Sequence, residues 1–105
     1  MFKANIYRDE VTPSSGSVVW VTPHLHGDLV SIHVKPTTAT TYYSLKIQDA
    51  NSHTIFESEP TQKGDMDISY DGEVLNDILT CTLSGASADE VFYVSLRIRQ
   101  FQVNQ

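Results

Sequence analysis

The fold is decided by Phe92-Tyr93-Val94-Ser95-Leu96-Arg97-Ile98-Arg99, in which apolar and polar residues alternate strictly. A period of two places every second side chain on the same face of an extended strand. We therefore predict that the apolar residues point inward and that four polar residues point outward: Tyr93, Ser95, Arg97 and Arg99. Phe101 and Val103 continue the alternation and are predicted to prolong the strand.

The same alternation recurs upstream in shorter runs. It predicts strands over residues 2–6, 17–21, 30–34, 42–48, 54–58, 66–70 and 78–83, about eight with the last one. In the third run, Val30, Ile32 and Val34 are expected to share the inward face. One segment is ambiguous, because Leu75, Ile78 and Leu79 have helical spacing. There we predict at most one helical turn before the strand that follows.

Turn-forming residues separate these runs. Asp49-Ala50-Asn51-Ser52-His53 is typical of a turn, because Asp and Asn side chains bond to their own backbone, so residues 42–58 are predicted to form a hairpin. Asp71-Gly72 is expected to end a strand in a tight turn. His24-Leu25-His26-Gly27-Asp28, which follows Pro23, is predicted to be a polar loop.

Short alternating strands at this spacing favour an all-β fold, an antiparallel β-sandwich of jelly-roll or immunoglobulin-like kind. One-sided alternation favours antiparallel pairing, because buried parallel strands are apolar throughout. Asp89 and Tyr93 have the spacing of a tyrosine corner, but the cysteine pair of immunoglobulin domains is absent. The length of 105 residues predicts a single domain over residues 1–105.

Composition limits the partners. The net charge is -6 and no basic run is present, so the chain is not expected to bind nucleic acid. Neither the apolar region of a signal peptide nor a membrane-spanning stretch occurs, so we expect synthesis in the cytoplasm and no membrane contact. Cys81 is the one cysteine and cannot form an internal disulfide.

Three residues could bind a metal ion. His24, His26 and Asp28 could supply ligands to Zn²⁺ from one short segment, and His33 or His53 could complete the set. The simpler interpretation is a polar loop between two strands. A calcium loop starting at Asp49 fails, because the sixth and twelfth positions are not Gly and Glu. We therefore predict no cofactor.

No catalytic constellation is apparent. The chain has no G-x-S-x-G elbow and no phosphate-binding glycine motif. Cys81 shares a predicted strand face with Leu79 and Leu83, where a thiol usually fills the core. The expected class is therefore a non-enzymatic protein.

Aromatic residues offer an alternative function. Trp20 and Tyr42, with Tyr70 and Tyr93, could form a stacking platform for sugars. On strands, however, aromatic side chains more often fill the core or form cross-strand pairs. A glycan- or host-surface-binding module with Trp20 and Tyr42 at its site remains the second hypothesis.

Two stretches resemble a known class of proteins. The first runs from Val34-Lys35-Pro36 through the Thr-rich segment to Tyr42-Tyr43, then Ile47-Gln48-Asp49 and Ile55-Phe56; the second is Ser87-Ala88-Asp89-Glu90-Val91-Phe92. Together they resemble small β-sandwich virion structural proteins of tailed bacteriophages. The resemblance implies a capsid decoration (cement) or head–tail accessory subunit. Such a subunit would be located in the virion, be made in the host cytoplasm, form homo-oligomers and bind other virion proteins of the capsid or tail.

The resemblance carries over no catalytic residue. It predicts that strand edges and loops are the contact surfaces, and the candidate edges are the strand that contains Phe2 to Arg8 and the last strand. Repeated display of such a subunit would turn weak single contacts into durable attachment.

Overall fold

The structure is a computed structural model that describes residues 2–13, 16–37, 42–58, 62–86 and 90–101. Those residues form seven strands and no helix: β1 (Phe2–Val11), β2 (Ser17–Pro36), β3 (Tyr42–Gln48), β4 (Thr54–Glu57), β5 (Gln62–Lys63), β6 (Met66–Ser84) and β7 (Phe92–Phe101). All of the strand pairs are antiparallel. The predicted all-β, antiparallel class is confirmed.

Two long strands belong to both layers of the sandwich. The strand order is β1-β7-β2-β6-β3-β4, with β5 paired to β3. We call β1, β7, residues 28–36 of β2 and residues 66–69 of β6 the front sheet. We call residues 17–21 of β2, residues 80–84 of β6, β3 and β4 the back sheet. Between them, β2 and β6 stay paired with each other while they pass from one layer to the other.

The core lies between the two sheets. The front sheet contributes, among others, Leu29, Ile32, Val34, Phe92, Val94, Leu96 and Ile98, and the back sheet contributes Tyr43, Leu45, Ile47, Cys81 and Leu83; Leu79 adds to the core from the part of β6 between the two layers. Tyr43 of β3 and Phe92 of β7 meet edge to face, with ring centroids 5.2 Å apart. These two strands are not neighbours in the ladder, so this contact is made across the sandwich. Such aromatic pairs add to the free energy of apolar burial.

The predicted strands at residues 17–21 and 30–34 are parts of the single strand β2, and the predicted loop at 24–28 is wrong. Two β-bulges replace the expected breaks, one between Val21 and His24 and one between Leu29 and Ser31. At each bulge, the alternation of inward and outward side chains shifts by one residue. The inward residues of β2 are therefore Val18, Trp20 and Thr22, then Leu25, Gly27 and Leu29, then Ile32, Val34 and Pro36. Val30, which was expected to be inward, is only half-buried.

β6 also joins two predicted strands, and neither the predicted turn at Asp71-Gly72 nor the predicted helical turn forms. Leu29 pairs with Glu73 and Ser31 pairs with Ser69, so β6 advances by four positions where β2 advances by two. An irregularity in the ladder therefore replaces the turn. Leu75, Leu79, Cys81 and Leu83 are buried with a period of two. Asp77 occupies the inward position between Leu75 and Leu79. Because this side chain is polar, the sequence does not show the alternation there.

The hairpin over residues 42–58 is confirmed: β3 and β4 pair antiparallel across the turn at residues 49–53. Asp49 Oδ1 accepts hydrogen bonds from Asn51 N and His53 N, both at 2.9 Å. Asp49 N donates to His53 O, and Ser52 N donates to Asp49 O. Ser52 has a positive φ of 65°, which the turn requires.

The strand β7 extends to Phe101, as the alternation predicts. Val103, Asp89 and residues 38–41 lie outside the described residues. In the part of the chain that the structure describes, no helix is long and apolar enough to cross a membrane.

Candidate functional site

The three candidate metal ligands lie on one face of β2. His24 and His26 are exposed, and Asp28 is half-buried where β2 enters the front sheet. Asp28 Oδ2 lies 3.9 Å from Arg99 Nη2, a weak ion pair between β2 and β7. His33 pairs with Asp67 on the adjacent strand β6. His53 lies in the hairpin turn, where its Nδ1 is 3.7 Å from Asp49 Oδ2. Within the described ranges, no three His, Cys, Asp or Glu side chains group closely enough to bind a metal ion.

The candidate sugar-binding aromatics occupy different environments. Trp20 is half-buried and packs against the core, so its ring is not presented as a platform. Tyr42 is 53% exposed, and Lys63 Nζ lies 5.4 Å from its ring centroid. Tyr93 is exposed on the outer face of β7, whereas the side chain of Tyr70 lies outside the described part of the structure. The hypothesis of a glycan site at Trp20 and Tyr42 stays a prediction.

A small polar cluster lies on the inner side of Trp20. Tyr7 donates a 2.8 Å hydrogen bond to Asp9 Oδ2, and the Trp20 indole nitrogen is buried with no partner in hydrogen-bond geometry. Cys81 is fully buried beside them, and burial, followed by the charge of Asp9, raises its pKa to about 12. A thiol that stays protonated is a poor nucleophile. The structure therefore places Cys81 in the core, as the strand pattern indicates.

Among the described residues each sheet has two edge strands: β1 and residues 66–69 of β6 in the front sheet, and residues 17–21 of β2 and β4 in the back sheet. β1 pairs only with β7, and residues 17–21 of β2 pair only with β6, among the described residues. The prediction that β1 is an edge is confirmed. The prediction that the last strand is an edge is wrong, because β7 lies between β1 and β2.

The edge at Ser17–Val21 is apolar and uncharged. It reads Ser-Val-Val-Trp-Val, and the side chains of Val19 and Val21 are 62% and 63% exposed on its outer face. Natural edge strands usually carry charges, proline or a bulge that blocks pairing with another chain. This segment carries none of them, so it can accept an added strand.

A polar groove crosses the outer face of the front sheet. The strand register aligns two rows of four residues: Arg8, Ser95, His33 and Asp67 in one row, and Ile6, Arg97, Ser31 and Ser69 in the other. These eight residues line a cavity of about 420 Å³. Ligand pockets of this size are common in proteins. The sequence predicts that most of these side chains face outward, but only the register brings four strands together at one place.

The outer face of the front sheet carries much of the positive charge of this acidic chain. Four of its seven Lys and Arg residues lie there: Arg8, Lys35, Arg97 and Arg99. Arg8 and Arg97 form no ion pair with any other described residue. The groove therefore combines two available guanidinium groups with one carboxylate, that of Asp67.

The fold and these surfaces define an antiparallel β-sandwich with free strand edges and a polar groove. No protein-family model matches the chain, and no curated protein sequence is significantly similar to it. The subunit of Bacillus endospore appendages, a family of disulfide-linked pili, is similar in structure, with a TM-score of 0.66 and 12% identity. The match covers 97% of this chain and 89% of the pilus protein. It shows that the two proteins share a fold.

Two further solved structures are more distant. A carbohydrate-binding module solved with calcium and xylotriose has a TM-score of 0.44 and 12% identity over 90% of this chain and 88% of the module. An infectious bursal disease virus structure has a TM-score of 0.44 and 8% identity, and the match covers 94% of this chain and 31% of the viral chain. At these scores neither adds to the assignment of the fold.

Proposed function

We propose that this chain is a non-enzymatic structural subunit of a virion, of the capsid-decoration or head–tail accessory kind. It binds other particle proteins, including further copies of itself, through free strand edges and loops. The observation that carries the proposal is the unblocked apolar edge at Ser17–Val21, with Val19 and Val21 exposed beside it.

The energetics of strand addition support this role. A partner strand along residues 17–21 would pair main-chain groups that now face water, and it would cover the two valines. Burying a valine side chain contributes on the order of 1.5 kcal/mol or more. A single contact of this kind is weak, but many copies on one particle would act together.

Two further observations agree with the proposal. The fold matches that of a pilus subunit along nearly its whole length, so this kind of sandwich is suited to assembly. The links here would differ, because that pilus family is disulfide-linked whereas Cys81 is the one cysteine of this chain and is buried. The resemblance of residues 34–56 and 87–92 to phage virion proteins supports a virion as the particle.

The direct test is mass spectrometry of purified virions from the source of this sequence. We expect the chain in mature particles at a fixed ratio to the major capsid or tail protein. Mature particles that lack it would contradict the proposal.

The edge is tested with a double variant, Val19→Lys with Val21→Lys, in a particle-binding sedimentation assay. Both charges lie on the outer face, so the variant should fold but should bind particles and itself more weakly. Tyr93→Lys is the control, because Tyr93 is also exposed but lies on a strand that has neighbours on both sides. Equal binding by the double variant and the wild type would exclude this edge as the contact.

A further inference from the structure

We propose that the groove on the outer face of the front sheet binds an acidic saccharide. Arg8 and Arg97 would hold its carboxylate, and Asp67 with the neighbouring serines would hold its hydroxyl groups. The proposal concerns a sheet face, and the particle contacts proposed above concern sheet edges, so each can fail without the other.

The two arginines lie close together on adjacent strands. Arg8 pairs with Ser95, and Arg97 pairs with Ile6, so the two are diagonal neighbours on adjacent strands. Diagonal neighbours in an antiparallel pair lie on the order of 7–8 Å apart at the main chain, within reach of one shared ligand group for side chains this long. Both side chains are exposed and line the same groove.

Both arginines are available for a ligand. In the part of the chain that the structure describes, acidic side chains outnumber basic ones, yet neither Arg8 nor Arg97 is in an ion pair there. Guanidinium groups bind carboxylates through paired, charge-assisted hydrogen bonds. The groove is therefore suited to a planar anionic group.

The same groove contains a carboxylate, that of Asp67. Asp67 lies at the β6 end of the row that begins with Arg8, opposite His33. A carboxylate accepts hydrogen bonds from hydroxyl groups and repels anionic groups, so this end of the groove disfavours ligands that carry negative charge along their whole length, such as acidic peptides. An acidic sugar combines one anionic group with several hydroxyl donors, so it matches both ends of the groove.

The size and polarity of the groove suit a small saccharide. Four strands at about 4.8 Å spacing and two rows of side chains give a footprint of about 14 Å by 7 Å, which suits a mono- or disaccharide. Ser31, Ser69 and Ser95 add hydroxyl groups that donate and accept, and the exposed side chain of Ile6 adds an apolar surface at one end. Such a mixture fits a sugar ring with polar edges and C–H faces.

The test is binding of sialyllactose and of a glucuronate-containing disaccharide, measured by NMR shift changes of the full chain and by calorimetry. We expect shift changes on β1, β7 and the front-sheet part of β2. Arg8→Gln and Arg97→Gln should each weaken binding by about tenfold or more, because each removes a charge-assisted hydrogen bond. Lys46→Gln is the matched control: it removes a positive charge from β3 of the back sheet and should leave binding unchanged.

The comparison ligands decide the class of ligand. Lactose should bind much more weakly than sialyllactose, and Asp67→Asn should weaken saccharide binding without weakening the interaction with inorganic phosphate. Absence of binding by both acidic saccharides would overturn the proposal. So would binding that survives both arginine substitutions, or tighter binding of inorganic phosphate or an oligoglutamate peptide than of the saccharides.

Discussion

At the scale of single residues, Thr22 shows how β2 crosses from one layer to the other. Thr22 is buried at the first bulge, next to Pro23, which has no N–H to donate to the ladder. Its Oγ1 accepts a hydrogen bond from Leu79 N at 3.0 Å and donates one to Pro23 O at 2.8 Å. One hydroxyl group therefore satisfies a buried main-chain donor that the bulge leaves without a ladder partner.

We expect Thr22→Val to lower the free energy of unfolding by about 1–3 kcal/mol, because the buried Leu79 N–H loses its acceptor. Thr82→Val makes the same chemical change on the outer face of β6 and should have little effect or a small favourable one. Urea denaturation followed by tryptophan fluorescence measures both. Equal midpoints for the two variants would show that the Thr22 bond contributes nothing.

At the scale of elements, the β3–β4 hairpin is held by two carboxylates. Asp49 accepts two main-chain hydrogen bonds inside the turn, and Asp77 of β6 accepts a third from Ala50 N at 3.1 Å. The ion pair of Asp49 with His53 is exposed on the histidine side and contributes little. The turn is thus fixed by hydrogen bonds to the main chain and attached to its neighbouring strand.

We expect Asp49→Ala to destabilise the protein by about 1–2 kcal/mol, since it removes the acceptor for Asn51 N and His53 N. Asn51→Ala is the control, because Asn51 contributes its main-chain N–H and keeps that bond. Amide hydrogen exchange at residues 51–57 should speed up in the first variant alone. Unchanged exchange after loss of the Asp49 carboxylate would contradict this account.

The sequence predicts the elements well where the alternation is unbroken, as in β7 and in the β3–β4 hairpin. It fails where a bulge replaces a turn, because both use the same residues. Pro23 and Asp71-Gly72 are as suitable for a bulge as for a reversal, and only the pairing partner decides between them. The helical spacing of Leu75, Ile78 and Leu79 is misleading, because the polar residue Asp77 occupies an inward position of the strand. Its side chain accepts a hydrogen bond from Ala50 N.

At the scale of the whole molecule, three ionisable groups, two buried and one half-buried, respond to pH in the same direction. Burial raises the pKa of Cys81 to about 12 and that of Tyr43 to about 12, and it raises the pKa of Tyr7, which also donates to Asp9. In each case the native state keeps a proton that the unfolded chain releases at lower pH. Rising pH therefore favours the unfolded chain.

We expect the free energy of unfolding to fall as the pH rises from about 9, the ordinary thiol value, towards 12. Cys81→Ala and Tyr43→Phe should each make that fall less steep, whatever they do to stability at neutral pH. Tyr93→Phe, which removes an exposed phenol, should not. Urea midpoints across the alkaline range measure the slopes, and identical slopes for all four proteins would contradict the assignment.

The groove illustrates what the sequence could not predict about the candidate site. The alternation predicts that Arg97, Ser95, Ser31 and His33 face outward, and they do. It cannot predict that β7 lies between β1 and β2, or that Arg8 and Asp67 end one row of side chains. That information lies in the register between strands far apart in the chain.

The two layers are not independent, because β2 and β6 run through both of them as unbroken chain. A pulling force applied to the free edge at Ser17–Val21 is transmitted along the covalent backbone of β2 into the middle of the front sheet. The two sheets cannot separate unless the hydrogen bonds of the β2–β6 ladder break or the whole domain unfolds. The sandwich should therefore unfold in a single mechanical step under tension, with no partly opened intermediate.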